Sequence, residues 1–159
     1  MSSAVESFRR LRTVKIALLQ INPTVGDLEG NARLIADAAA EAKRHGADLA
    51  VTPELALVGY LPRDLLLSGD FVERSWQRLD WLAAQLAGGP PTLVGLPELN
   101  RSQEGRPLFN TAALIRTGSV RTQAMVSPSA KADGFMVGRS AGRMSGWAAT
   151  AAMILAKTA

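Results

Sequence analysis

Glu54 follows Pro53 at the close of the apolar run 49–51, and Leu55-Ala-Leu-Val-Gly-Tyr60 follows it. Sites in α/β sheets collect in the loops beyond the carboxyl ends of strands. A carboxylate placed there, flanked by apolar Leu55 and Leu57, could be desolvated and act as a proton acceptor. The plainer alternative is an ordinary solvated loop carboxylate. The chain has no cysteine. That removes disulfides, thiolate metal sites and the side chain that is most nucleophilic near neutral pH. Its one histidine, His45, rules out a His-based metal cluster. His45 lies in Lys43-Arg44-His45-Gly46, where a cation near a helix end complements the helix dipole.

The elements that must position Glu54 are legible as alternating apolar runs and amphipathic stretches. Residues 14–19 read as a buried strand, and the breakers of Asn22-Pro23-Thr24-Val25-Gly26-Asp27 mark a loop. Residues 31–44 read as a helix whose apolar face is Leu34, Ile35, Ala38, Ala39 and Ala42, with Gly46 as its stop. Residues 48–52 form the second strand, ended by Pro53. Residues 64–67 suit a short helical turn. Residues 71–87 suit a long helix with Phe71, Trp76, Leu79, Leu82 and Leu86 facing the core. After Gly88-Gly89-Pro90-Pro91 come a third strand at 92–96, expected to end at Pro97, and a fourth at 109–116. Thr117-Gly118-Ser119 then turns into a strand starting at Val120. Strands alternating with helices predict an α/β layer architecture. The two strand ends Pro53-Glu54 and Pro97-Glu98 suggest shared strand-end chemistry rather than an internal repeat.

A chain of 159 residues suits one domain, and its 47% hydrophobic and 20% charged residues are ordinary for a globular protein. Residues 1–120 carry 13 Lys and Arg against 13 Asp and Glu. Residues 121–159 carry five against Asp133 alone, so the whole net charge of +4 lies there. Those charges are scattered and no aromatic series accompanies them, so no nucleic-acid partner is expected. The composition also turns toward Ala, Gly, Ser and Met after Arg121. The expected organisation is therefore a domain at 14–120 and a divergent tail at 121–159, irregular or partly helical around 148–156. No run approaches a membrane span, and the Arg9, Arg10 and Arg12 start lacks the apolar core of a signal peptide. A cytoplasmic location without membrane attachment is expected.

Two segments resemble a known family. Lys15-Ile-Ala-Leu-Leu-Gln-Ile-Asn-Pro-Thr-Val-Gly-Asp-Leu-Glu-Gly-Asn31 is similar to the opening of the nitrilase, or carbon–nitrogen hydrolase, superfamily. The segment from Gly46 through Glu54 and Tyr60-Leu-Pro-Arg-Asp-Leu-Leu-Leu67 resembles more narrowly the N-terminal glutaminase domain of glutamine-dependent NAD⁺ synthetases. Val94-Gly-Leu-Pro-Glu98 and Phe109-Asn-Thr-Ala-Ala-Leu-Ile115 continue the likeness in order, over about residues 14–120. The resemblance implies an α-β-β-α sandwich, of which this chain would form an incomplete part. It also implies a Glu-Lys-Cys triad that hydrolyses the glutamine side-chain amide. Glu54 matches the general base. Tyr60 matches an aromatic near the glutamine pocket, with a loop anchor as its alternative. Glu98 is a candidate for the same site, with a loop carboxylate as its alternative. Glutamine is the implied ancestral substrate. ATP and Mg²⁺ would serve a synthetase domain that these residues do not include, so no cofactor is expected in this chain.

The departures are as informative as the match. The lysine is expected near position 126, which is Val, and Lys131 sits in an unmatched segment. Ser127, Ser129 and Ser140 have no motif around them, and Gly138-Arg-Ser-Ala-Gly-Arg143 is not a phosphate-binding loop. The expectation is a chain related to a glutaminase but inactive by itself. Two alternatives stay open: a non-catalytic fragment frameshifted near codon 121, or a remnant of another nitrilase-superfamily amidase. The segment Tyr60 to Leu67 weighs against the latter. An incomplete sandwich would expose an apolar sheet face and favour self-association.

Overall fold

A computed structural model describes residues 13–101 and 105–125 of the chain. Five strands form one sheet in the order of the sequence: β1 (Ile16–Leu18), β2 (Leu49–Val51), β3 (Thr92–Leu99), β4 (Leu108–Arg116) and β5 (Ser119–Met125). The β1–β2 and β2–β3 pairs are parallel, and the β3–β4 and β4–β5 pairs are antiparallel. Parallel neighbours need crossovers, and two long helices supply them. Helix α1 (Leu28–Arg44) joins β1 to β2, and a 3₁₀ turn at Arg63–Leu67 with helix α2 (Gly69–Gln85) joins β2 to β3.

Both helices lie on the same face of the sheet. Ala32, Ile35, Ala39 and Ala42 of α1 and Leu79, Leu82 and Ala83 of α2 pack in one cluster with Ala50, Val94, Leu96, Ala113 and Ile115. Each large side chain in that cluster contributes about 2 kcal/mol by leaving water. On the opposite face Leu49, Val51, Leu93, Ala112 and Leu114 form a second buried cluster. Along its margin, on or beside edge strand β1, Val14, Ile16 and Leu18 are exposed.

The expected elements form, with several differences. Strand β1 covers only Ile16–Leu18 and, lying at the sheet edge, is largely exposed, in place of the expected buried strand over 14–19. Helix α1 starts earlier than residue 31, because the Asp27 carboxylate accepts from the Gly30 amide at 2.8 Å and caps it. That start brings Asn31 and Ala32 into the buried stripe and leaves Leu34 at its exposed margin. Helix α2 likewise begins behind a Ser68 cap, and the Gly46 stop at positive φ is as expected. Strand β3 runs through Pro97 rather than ending there. The Pro97 carbonyl accepts from the Trp76 indole at 2.9 Å, so that peptide edge points away from β4. No ladder bond to β4 is lost at Pro97, and β2 no longer runs alongside. Strand β5 runs on to Met125 opposite Asn110, across the change in composition at 121. The turn before β5 places Thr117 and Gly118 both at positive φ, the geometry that a two-residue hairpin needs. Lys131, Ser127, Ser129, Ser140, the Arg-rich start and the 148–156 stretch lie outside the described residues.

No helix among the described residues is long and apolar enough to cross a membrane.

Candidate active site

Glu54 lies just past the carboxyl end of β2, and its backbone is held from several sides. Thr52 is the first hold: its hydroxyl donates to the Pro53 carbonyl at 3.0 Å and accepts from the Gly95 amide at 3.2 Å. The Gly95 carbonyl accepts from the Leu57 amide at 3.2 Å. Leu55 adopts φ 52°, a left-handed conformation rare for a branched side chain. It is paid for locally: its side chain is buried, and its carbonyl accepts from the amides of Val58 and Gly59. Together these bonds turn the chain sharply at Glu54 and leave its carboxylate half-buried.

Gly95 makes the turn sterically feasible. A β-carbon there would lie 2.7 Å from the Leu55 nitrogen and 3.0 Å from the Pro53 carbonyl oxygen. The chain around Glu54 thus crosses directly over β3 where β3 has no side chain. Gly59, at φ +81°, allows a second close approach, since a β-carbon there would lie 2.6 Å from the Val25 α-carbon. Between the two loops sits the buried side chain of Asn31. Its oxygen accepts from the Thr24 amide at 2.8 Å, and its nitrogen donates to the carbonyls of Thr24 at 2.7 Å and Leu57 at 3.2 Å. One helix residue therefore ties the 22–27 loop to the loop that carries Glu54.

The carboxylate itself is oriented by β4. Asn110 Nδ2 donates to Glu54 Oε1 at 2.6 Å. The next residue, Thr111, donates its hydroxyl to Glu98 Oε2 at 2.8 Å. Consecutive strand residues face opposite sides of a sheet, so the two Pro-Glu carboxylates are separated. Glu98 lines a cleft of about 370 Å³ with Glu73, Trp76 and Leu99, on the face that α2 covers. The structure does not bring Glu98 to Glu54, because β3 continues through Pro97 and keeps Glu98 in strand alternation. A second cleft of about 470 Å³ is lined by Asp27, Arg74, Arg78 and Trp81, and Glu54 is not among its lining residues.

Tyr60 does stand near Glu54. Partial burial, and secondly the Glu54 charge, push the phenol above its ordinary value of 10.0. Both effects disfavour the phenolate. Glu54→Gln removes the second effect and leaves the first, so the tyrosine midpoint is expected to fall toward the ordinary value without reaching it. Tyr60 is the sole tyrosine, so absorbance near 295 nm against pH reads it directly. A midpoint unmoved by Glu54→Gln would show that the carboxylate does not face the ring. Because folding holds the phenolic proton to higher pH, this group stabilises the fold below about pH 10 and loses that contribution as pH rises through the raised value.

Sequence reasoning missed three residues that build the site. Gly95 carried a signal, since an isolated glycine inside a strand marks close backbone approach. Asn110 and Asn31 carried only a weak one, as lone amides beside apolar runs. Among the described residues no group of three acidic or histidine side chains is placed to hold a metal ion.

The sequence matches the carbon-nitrogen hydrolase family over residues 15–128. The chain belongs to that family. Its relatives point more narrowly. It is 45% identical over 109 residues to the glutamine-dependent NAD(+) synthetase of Synechocystis, a stretch covering 67% of this chain and 20% of that protein. It is 32% identical over 111 residues to the enzyme of the same name from Thermotoga maritima, covering 69% of this chain and 18% of that one. The structure of a glutamine-dependent NAD(+) synthetase from Cytophaga hutchinsonii superposes with a TM-score of 0.62 at 29% identity, over 71% of this chain and 19% of that one. An amidase from Nesterenkonia superposes with a TM-score of 0.57 at 31% identity, over 72% of this chain and 43% of that one. A mutant of that amidase carries acrylamide added at its active-site cysteine. The chain spans about a fifth of the length of the synthetases it matches. It is thus a nitrilase-superfamily domain related to the glutaminase domain of NAD⁺ synthetases, without a cysteine.

Proposed function

We propose that this chain carries the proton-transfer part of a glutamine-amidohydrolase site and does not hydrolyse glutamine by itself. The observation that supports this most is the pairing of Glu54 with Asn110 on a turn held by Thr52, Gly95 and a strained Leu55. A surface carboxylate of no consequence needs none of that support. In the reaction such a domain serves, a general base takes the nucleophile's proton and delivers it to the departing ammonia. Glu54 has the position for that work, and Tyr60 flanks it where an amide substrate would enter. The attacking thiolate is not available from these 159 residues, and a serine hydroxyl is far less nucleophilic near neutral pH. ATP-dependent amidation of deamido-NAD⁺ would belong to a synthetase domain acting with such a glutaminase, with ATP and Mg²⁺ bound there.

The purified chain incubated with L-glutamine is expected to release ammonia at the rate of buffer alone. Release above that rate, lost in Glu54→Gln, would overturn this reading and require another nucleophile in the chain.

A further inference from the structure

Strand β1 lies at the edge of the sheet, and no described strand lies beyond it. Its bonds to β2 use every second residue. The Lys15 carbonyl accepts from the Asp48 amide at 2.8 Å, and the Leu19 amide donates to the Val51 carbonyl at 2.8 Å. Alternate residues of a strand aim their backbone groups to opposite sides, so Val14, Ile16 and Leu18 turn theirs outward. The same three side chains are 47%, 45% and 55% exposed. Ile16 stands beside Leu49 and Leu18 beside Val51, which sets the row on the face of the second buried cluster. That face was expected to be open and to drive self-association, yet Leu49, Val51, Leu93, Ala112 and Leu114 are buried. Unpaired backbone groups and exposed apolar side chains thus coincide in one row at its margin. Edge strands commonly carry a charge that repels pairing. Here the nearby cation is drawn aside: the Lys15 amide donates to the Asp48 carboxylate at 2.8 Å, and its ammonium donates to the His45 carbonyl at 2.7 Å.

We infer that β1 pairs with β1 of a second copy of this chain, antiparallel and centred on Ile16, joining the two sheets edge to edge. The strand is its own complement. In that register Val14 of one copy faces Leu18 of the other and Ile16 faces Ile16, so every outward residue exchanges both of its backbone hydrogen bonds. Sliding the register by two residues leaves one of them unpaired. Lys15 faces Ala17, so no like charges are opposed. The facing apolar side chains continue the second cluster from one copy into the next, and the contact closes on a two-fold axis. So short an edge covers less than the roughly 800 Å² per partner of a standard interface, which makes this a dimer in exchange with its monomer. Nothing in it depends on the chemistry at Glu54.

The test is amide hydrogen exchange of the whole ¹⁵N-labelled chain at micromolar and millimolar concentration, with sedimentation velocity on the same samples. A dimer is expected to form as concentration rises, and the Ile16 and Leu18 amides to slow with it, while the Leu19 amide, already bonded to Val51, changes far less. Ile16→Pro removes an outward donor from each copy and no bond to β2, a place where an edge strand tolerates proline. It is expected to raise the dissociation constant about tenfold. Leu18→Lys acts through the side chain, is expected to weaken the dimer as well, and decides the matter if the proline variant does not fold. Leu67→Ser, at a side chain 88% exposed outside the sheet, is expected to leave the dimer unchanged. A monomer at every concentration would overturn the inference, as would a dimer lost in Leu67→Ser but kept in both β1 variants. Slow exchange at Ile16 and Leu18 in a monomer would also overturn it, by showing that another segment of the same chain fills the edge.

Discussion

Gly95→Val is expected to destabilise the chain by about 3 kcal/mol, as overpacking against fixed backbone does. The first added carbon already falls 2.7 Å from the Leu55 nitrogen and 3.0 Å from the Pro53 oxygen. Neither atom is the end of a flexible side chain. The 53–55 segment must lift, which stretches the bond from the Gly95 amide to the Thr52 hydroxyl and that from the Leu57 amide to the Gly95 carbonyl, and withdraws Glu54 from Asn110. Urea denaturation followed by tryptophan fluorescence measures the loss, and the Tyr60 midpoint reports whether the Glu54 charge has moved away. A variant as stable as the parent, with an unchanged tyrosine midpoint, would mean that the turn does not cross β3 this closely. Gly95→Ala is expected to show the same effect with smaller size.

Asn31→Leu is expected to cost about 2–4 kcal/mol, although it keeps the branching and heavy-atom count of the side chain. Three hydrogen bonds vanish together: the Thr24 amide and the Leu57 carbonyl lose the Asn31 side chain, and the Thr24 carbonyl is left with the Asp27 amide at 3.2 Å. Because Asn31 is almost fully buried, at 2% exposure, leucine cannot admit water to replace it. The same denaturation experiment measures this, and hydrogen exchange of the Thr24 amide is expected to accelerate beyond the global change. A loss below about 1 kcal/mol would show that the two loops hold each other without Asn31.

These two residues show how far the sequence could be read. The strands and helices followed from apolar periodicity, because burial on one face leaves a regular trace. Glu54 was legible because a proline and a carboxylate at a strand end have few other reasons to coincide, and the likeness in the surrounding motifs gave it a role. The start of α1 was not legible. Gly30, in its first turn, lowers helix propensity, and the cap Asp27 lies among loop-forming residues. The passage of β3 through Pro97 depends on which edge of the strand faces β4, a tertiary fact. Glu98 was grouped with Glu54 because their local sequences match, and strand alternation then sent their side chains to opposite faces. Asn31 and Asn110 act through partners 26 and 56 residues away. No local pattern carries such pairings.

The central claim is that the site keeps its base and has no nucleophile. Intact-mass spectrometry of the chain after incubation with an electrophilic glutamine analogue tests it most directly. The mass is expected to remain that of the unmodified chain, because no thiolate is present to be alkylated. A single stoichiometric adduct, displaced by glutamine and absent in Glu54→Gln, would contradict it by revealing a nucleophile that Glu54 activates.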